Sequence, residues 1–207
     1  MKNVKRILLV SLMILTTGCF GVDLTKYYDK MQVAEDGING YTLDLRIYGK
    51  YYDEAINEIV RVENYQDEEF EIRFPREERE TEKNTATIIK DGKVYLDGEY
   101  LEDASEVKYS NPGIYLEGLK EAKKVTKPKE ETLGENKYQV YEFFVNEDFV
   151  QKMINNTDFD SPELIKETKA EVWINSEGYV FQVIYYLEDL TIDANYLNVN
   201  KAQKIVY

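Results

Sequence analysis

Apolar residues along this chain change their period several times, and each change marks an element. Leu24, Tyr27, Tyr28 and Met31 fall at i, i+3, i+4 and i+7, the spacing of one helix face, with Asp23 placed to cap it. From Tyr41 the period is two: Tyr41, Leu43, Leu45 and Ile47 alternate with Thr42, Asp44, Arg46 and Tyr48, as in a half-buried strand. Val60 and Val62 begin a second run, and Phe70, Ile72 and Phe74 make a third that Pro75 and the charged stretch Arg76 to Lys83 end. Short strands at Thr85 to Ile89, Val94 to Leu96 and Tyr100-Leu101 are separated by Asp91-Gly92 and Asp97-Gly98, the residue pair that two-residue hairpins favour.

The second half predicts a helix from Pro112 to Val125, with Tyr115, Leu119 and Ala122 on one side, and a strand from Tyr138 to Val145. A short helix carries Phe149, Val150, Met153 and Ile154, with Asn146 or Asp148 as its cap. The clearest hairpin runs from Ala170 to Ile174, turns at Asn175 to Gly178, and returns from Tyr179 to Leu187. On its second arm Tyr179, Phe181, Val183, Tyr185 and Leu187 share one face, while Val180, Ile184 and Tyr186 make the other partly apolar. An antiparallel sheet with one wet face alternates more cleanly than that, so something covers part of each face. These patterns predict an α+β fold, mainly antiparallel β.

The first eighteen residues follow another logic. A basic start (Lys2, Lys5, Arg6), an apolar run from Ile7 to Leu15 and small residues before Cys19 have the order of a secretory signal. The run is short of the roughly 20 apolar residues that a stable membrane span needs. Leu15-Thr16-Thr17-Gly18-Cys19 resembles a bacterial lipobox, although its leucine stands one position early. That resemblance implies cleavage before Cys19 and acylation of its thiol; the alternative is a buried thiol at the end of a membrane anchor. Cys19 is the chain's one cysteine, so no disulfide within the chain can form. The expected organisation is a signal peptide at 1–18, a lipidated start and very short tether at 19–22, and one domain at 23–207. The expected location is the extracytoplasmic face of a cell membrane.

Charge narrows the partners. Removing residues 1–18 takes three positive charges and no negative ones from the formal −14, leaving −17 on the mature chain. So acidic a surface repels nucleic acid and anionic headgroups, which excludes the first as a partner and leaves the anchoring to acyl chains.

The absence of histidine removes Ser-His-Asp and Cys-His hydrolysis and the common zinc sites. Carboxylates cluster at Asp67-Glu68-Glu69, Glu77-Glu78, Glu130-Glu131 and Asp158-Phe159-Asp160. A glycosidase pair or a calcium site could be built from such residues. The clusters have no calcium-loop spacing and lie in charged, turn-like surroundings, so they read as solvated surface. Neither an enzyme nor a cofactor or metal is expected. The eighteen tyrosines could offer a recognition surface, with Tyr27, Tyr28, Tyr51, Tyr52, Tyr185 and Tyr186 as candidates; strand propensity and core filling are the preferred explanation.

Several stretches resemble the lipoprotein-carrier superfamily, the LolA-like and LppX-like half-barrels, and especially lipoproteins of that fold from Gram-positive bacteria. They are Lys93 to Gly98, Asn111 to Val125, Glu131 to Gly134 with Tyr138 to Tyr141, and Val172 to Val180. The resemblance spans roughly residues 40 to 195 and implies a strongly curved antiparallel sheet, a half-barrel, wrapped around a few helices. It also implies a hydrophobic or amphiphilic ligand, since carriers of this superfamily hold acyl chains between sheet and helices. Candidate lining residues are Leu43, Leu45, Ile47, Phe70, Ile72, Phe74, Phe181 and Val183, all of which could equally fill a core. A non-enzymatic module binding an envelope protein is the alternative.

Overall fold

The computed structural model describes residues 21–32, 38, 40–51, 54–65, 68–75, 86–90, 93–96, 99–103, 113–155 and 167–201, with side chains described outside 50–90 and at positions other than 96. Residues 1–20 with Cys19, the stretch Arg76 to Lys83 and both Asp-Gly pairs lie outside the described residues.

Among the described residues eleven strands form a single antiparallel sheet. Its first part is β1 (Gly40–Tyr51), β2 (Glu54–Tyr65), β3 (Glu68–Pro75), β4 (Ala86–Lys90), β5 (Lys93–Leu96) and β6 (Glu99–Asp103). Its second is β7 (Lys129–Leu133), β8 (Asn136–Val145), β9 (Thr168–Asn175), β10 (Val180–Tyr186) and β11 (Leu190–Leu197). The spatial order β6-β5-β4-β3-β2-β1-β11-β10-β9-β8-β7 is two meanders, one running outward from β1 and one returning to it, joined where β11 pairs with β1. Among the described residues the helices are α1 (Thr25–Lys30), α2 (Ile114–Glu117) and α3 (Glu147–Asn155). The fold is therefore α+β and mainly antiparallel β.

One core joins the helices to the sheet. Leu24, Tyr27 and Met31 around α1, Ile114 to Leu116 and Leu119 around α2, and Phe149, Val150, Met153 and Ile154 of α3 pack on alternate residues of β1 and β8 to β11. Val22 already packs against this core, so the chain joins the domain close behind Cys19. Asp23 accepts the backbone N–H of Thr25 at 2.9 Å, which holds its carboxyl below the usual carboxylate range. Asn146 caps α3 by accepting the backbone N–H of Phe149 at 2.8 Å.

The helix expected from Pro112 to Val125 stops after Glu117. An α-helix would give the Tyr115 carbonyl to the N–H of Leu119; instead the Tyr185 hydroxyl donates to it at 2.6 Å, and Leu119 bonds Leu116 one residue short of α geometry. Further on, Lys123 exchanges backbone hydrogen bonds of 2.8 Å with Phe144, and Lys124 turns into the left-handed region at φ 52°. Residues 123–126 thus run along the edge of β8 as an extension of β7.

Two strands lie outside the sequence expectations. β7 is exposed along its whole length and so shows no apolar period. β11 lies beside β1, the central strand, and its buried residues Leu190, Ile192, Ala194 and Tyr196 alternate strictly. The sequence carries that period, with Thr191, Asp193 and Asn195 between the buried residues, but the strand expectations ended at Leu187. Gly49 makes the close approach of β1 to the β10–β11 turn possible, because a Cβ there would stand 2.1 Å from the Asp189 carbonyl oxygen.

Candidate functional site

The lining candidates do not form one surface. Leu43, Leu45, Ile47 and Val183 lie in the helix-covered core at 2% exposure or less. Leu45 pairs with Ala194, and Ala194 with Val183, so these residues share a row of the pleat. The register from β1 through β2 to β3 leads elsewhere. Thr42, Asp44 and Arg46 pair with Glu63, Arg61 and Ile59, which pair with Phe70, Ile72 and Phe74. Phe70, Ile72 and Phe74 therefore fall in line with the residues of β1 that face away from the helices. The Leu43 and Leu45 rows continue instead into Val62 and Val60 and then Glu71 and Arg73.

Phe181 does not share a face with Val183 either. A bulge between Val180 and Gln182 shifts the register, so Val180 is buried with Val183 and Tyr185 in the core, while Phe181 turns outward. Its ring packs 4.6 Å from that of Tyr138, which also meets Trp173 at 5.8 Å. At the other end of the sheet Phe70 pairs with Ile88, Ile72 with Ala86, and Ile88 with Tyr95.

Tyrosines divide between core and surface. Tyr185 is fully buried, Tyr27 is buried, and Tyr28 packs against the core, so these three fill the core rather than offer a recognition surface, while the side chains of Tyr51 and Tyr52 lie outside the described residues. Tyr27 and Tyr141 share a hydrogen bond of 2.9 Å, and burial pushes the Tyr141 hydroxyl up to about 12. The Tyr196 hydroxyl is buried with no hydrogen-bond partner among the described residues. Exposed instead are Tyr186 at 39% and Tyr48 at 44%, on the outward face of β10 and β1. Both pair with Thr191 of β11, so they stand in one row, two strands apart. Strict alternation puts Tyr48 with the polar residues of β1, which was the available signal.

Beside that row lies a polar patch on the same face. The Asp193 carboxylate accepts Gln182 Nε2 and Asn195 Nδ2, both at 2.8 Å, while Arg46 reaches Asp44 at 3.4 Å. Burial pushes the Asp193 carboxyl up, against the opposing pull of its two amide donors and Arg46.

A separate groove of about 310 Å³ lies at one end of the sheet among Tyr27, Glu130, Lys137, Tyr138, Gln139, Ile174, Asn175, Ser176 and Gly178. Glu130 of the Glu130-Glu131 cluster pairs with Lys137 at 2.9 Å on the exposed edge. Among the described residues no three acidic or cysteine side chains converge as a metal site requires, and no helix is long and apolar enough to cross a membrane.

A broad antiparallel sheet bearing short helices on one face, in which the chain returns so that its last strand pairs with its first, defines the class of fold. No family model matches the sequence, and no curated protein matches it. Among the solved structures that share the fold are two from mycobacteria. LprF from Mycobacterium bovis superposes with a TM-score of 0.58 over 89% of this chain and 96% of its own, at 10% identity. The Mycobacterium tuberculosis lipoprotein LppX superposes with a TM-score of 0.56 over 88% of this chain and 98% of its own, at 12% identity. The resemblance read from the sequence therefore holds at the level of the fold.

Proposed function

We propose that this chain is a lipoprotein held at the extracytoplasmic face of a cell membrane by acyl chains on Cys19, and that its sheet curves into a half-barrel binding a hydrophobic or amphiphilic, lipid-like ligand. The fold shared with LprF and LppX, over almost the whole length of each chain, carries this reading. The lipobox-like Leu15 to Cys19 and the short connection to Val22 support the anchor.

The helix-covered half of the sheet is filled by its own side chains, with Leu43, Val183 and Ile192 at 0% exposure. In line with them on β3 stand Glu71 and Arg73, which suit no acyl chain. The ligand's place in this reading is therefore not the concave space between sheet and helices but the apolar stretch of Phe70, Ile72 and Phe74 with Ala86 and Ile88, in line with the opposite face of β1.

Native mass spectrometry of the mature protein extracted from membranes tests it. Retained lipid is expected in the wild type, with a marked loss in Ile72→Asp and none in Phe181→Asp. Wild-type protein without lipid, or Ile72→Asp retaining as much as wild type, overturns the ligand. Undiminished acyl labelling in Cys19→Ala overturns the anchor.

A further inference from the structure

We infer that the outward face of β1, β11 and β10 binds a neutral glycan, a chain of 1,4-linked pyranose sugars running across the strands. Tyr48 and Tyr186 present their rings to solvent at 44% and 39% exposure, with the small Thr191 between them in register. Two strand spacings separate them by about 10 Å. That is close to the repeat of two sugar rings, so alternate rings of one chain reach both tyrosines. Aromatic rings offer the apolar C–H face of a sugar a flat partner; the Tyr186 hydroxyl is turned to Glu171, and Lys169 Nζ stands 5.9 Å from the centre of its ring.

The next two rows supply flat hydrogen-bonding groups for sugar hydroxyls. Arg46, Asp193 and Ile184 are in register, followed by Asp44, Asn195 and Gln182. Asp193 is already oriented by Gln182 and Asn195 through one carboxylate oxygen, which leaves the other as an acceptor. The chemistry excludes the competing occupants. An acyl chain would desolvate Asp44, Arg46 and Asp193 without replacing their hydrogen bonds. A nucleic acid or anionic polymer would meet carboxylates on a chain whose formal charge is −14. A protein interface depletes charge at its centre, where this face concentrates it. The export proposed above would set this face beside envelope glycan, but the surface itself does not depend on the lipid ligand.

The test is co-sedimentation of the full mature protein with peptidoglycan stripped of protein and anionic polymer, together with calorimetric titration of the soluble tetrasaccharide chitotetraose. Wild type is expected to bind both, and binding should persist in about 0.5 M salt, where exposed charge attraction is screened. Tyr48→Ala with Tyr186→Ala should weaken it by about tenfold or more, and Tyr48→Phe with Tyr186→Phe should retain it, because the rings remain. Both positions are exposed, so unchanged thermal unfolding of the variants confirms their folding. Wild type left in the supernatant, an alanine pair binding as wild type, binding abolished by salt, or retention only by walls still carrying protein would each overturn the inference. Lipid retention is read separately, so loss of either activity leaves the other result intact.

Discussion

Gly118→Ala and Tyr185→Phe should be strongly coupled, because each change alters the one contact that ends α2. The Tyr185 hydroxyl reaches the Tyr115 carbonyl at 2.6 Å, deep in the core, and burial pushes that phenol far above its ordinary value. Tyr185→Phe leaves the carbonyl without its donor and should cost about 1–3 kcal/mol. At Gly118 the backbone is right-handed, with φ −56° and ψ −23°, so alanine meets no conformational penalty and the cost is steric. Its Cβ would stand 2.1 Å from the Tyr185 hydroxyl oxygen, 3.0 Å from Tyr185 Cζ and 3.1 Å from Phe149 Cε1. Overpacking of that kind should cost about 1–3 kcal/mol. In the double variant the hydroxyl is gone and only the two longer contacts remain, so the combined cost should fall short of the sum by about 1 kcal/mol or more. Urea unfolding followed by Trp173 fluorescence gives all four stabilities by linear extrapolation. Additivity within about 0.5 kcal/mol would refute the account of how α2 ends.

Two further outcomes follow from single groups. Asn146→Ala removes the α3 cap at Phe149 and should cost about 1 kcal/mol in the same urea assay, and an unchanged midpoint would show the cap idle. Asp193 has its folded pKa raised above 3.8, so between that value and the raised one the folded state binds more protons than the unfolded, and stability falls as pH rises through the window. Asp193→Asn keeps an oxygen for Gln182 and Asn195 but cannot ionise. It should therefore be more stable than wild type at neutral pH, with the difference vanishing below pH 3.8; thermal unfolding across pH that shows the gain only in acid would contradict this.

Much was legible in order along the chain. The periods at Tyr41 to Ile47, Phe70 to Phe74, Tyr138 to Val145 and Ala170 to Ile174 all became strands, and Asn146 became a cap. What failed did so for identifiable reasons. Apolar spacing past Glu117 suited a helix, but the tertiary bond from Tyr185 took the carbonyl that a helix needs. β7 is held by pairing with β8 rather than by burial, and so left no apolar trace.

The sequence by itself determined which residues alternate, because pleat and helix impose their periods on burial locally, and it determined the signal-like start before Cys19. It could not determine which set faces which side of the sheet. That phase depends on pairing between strands distant in the chain, and a shift of one residue exchanges the two faces. Only the register separates Phe70, Ile72 and Phe74 from Leu43, Leu45 and Ile47, and only the bulge beside Val180 parts Phe181 from Val183. The same long-range pairing of β1 with β11 and β11 with β10 brings Tyr48 into line with Tyr186, across a separation in sequence that no local pattern can bridge.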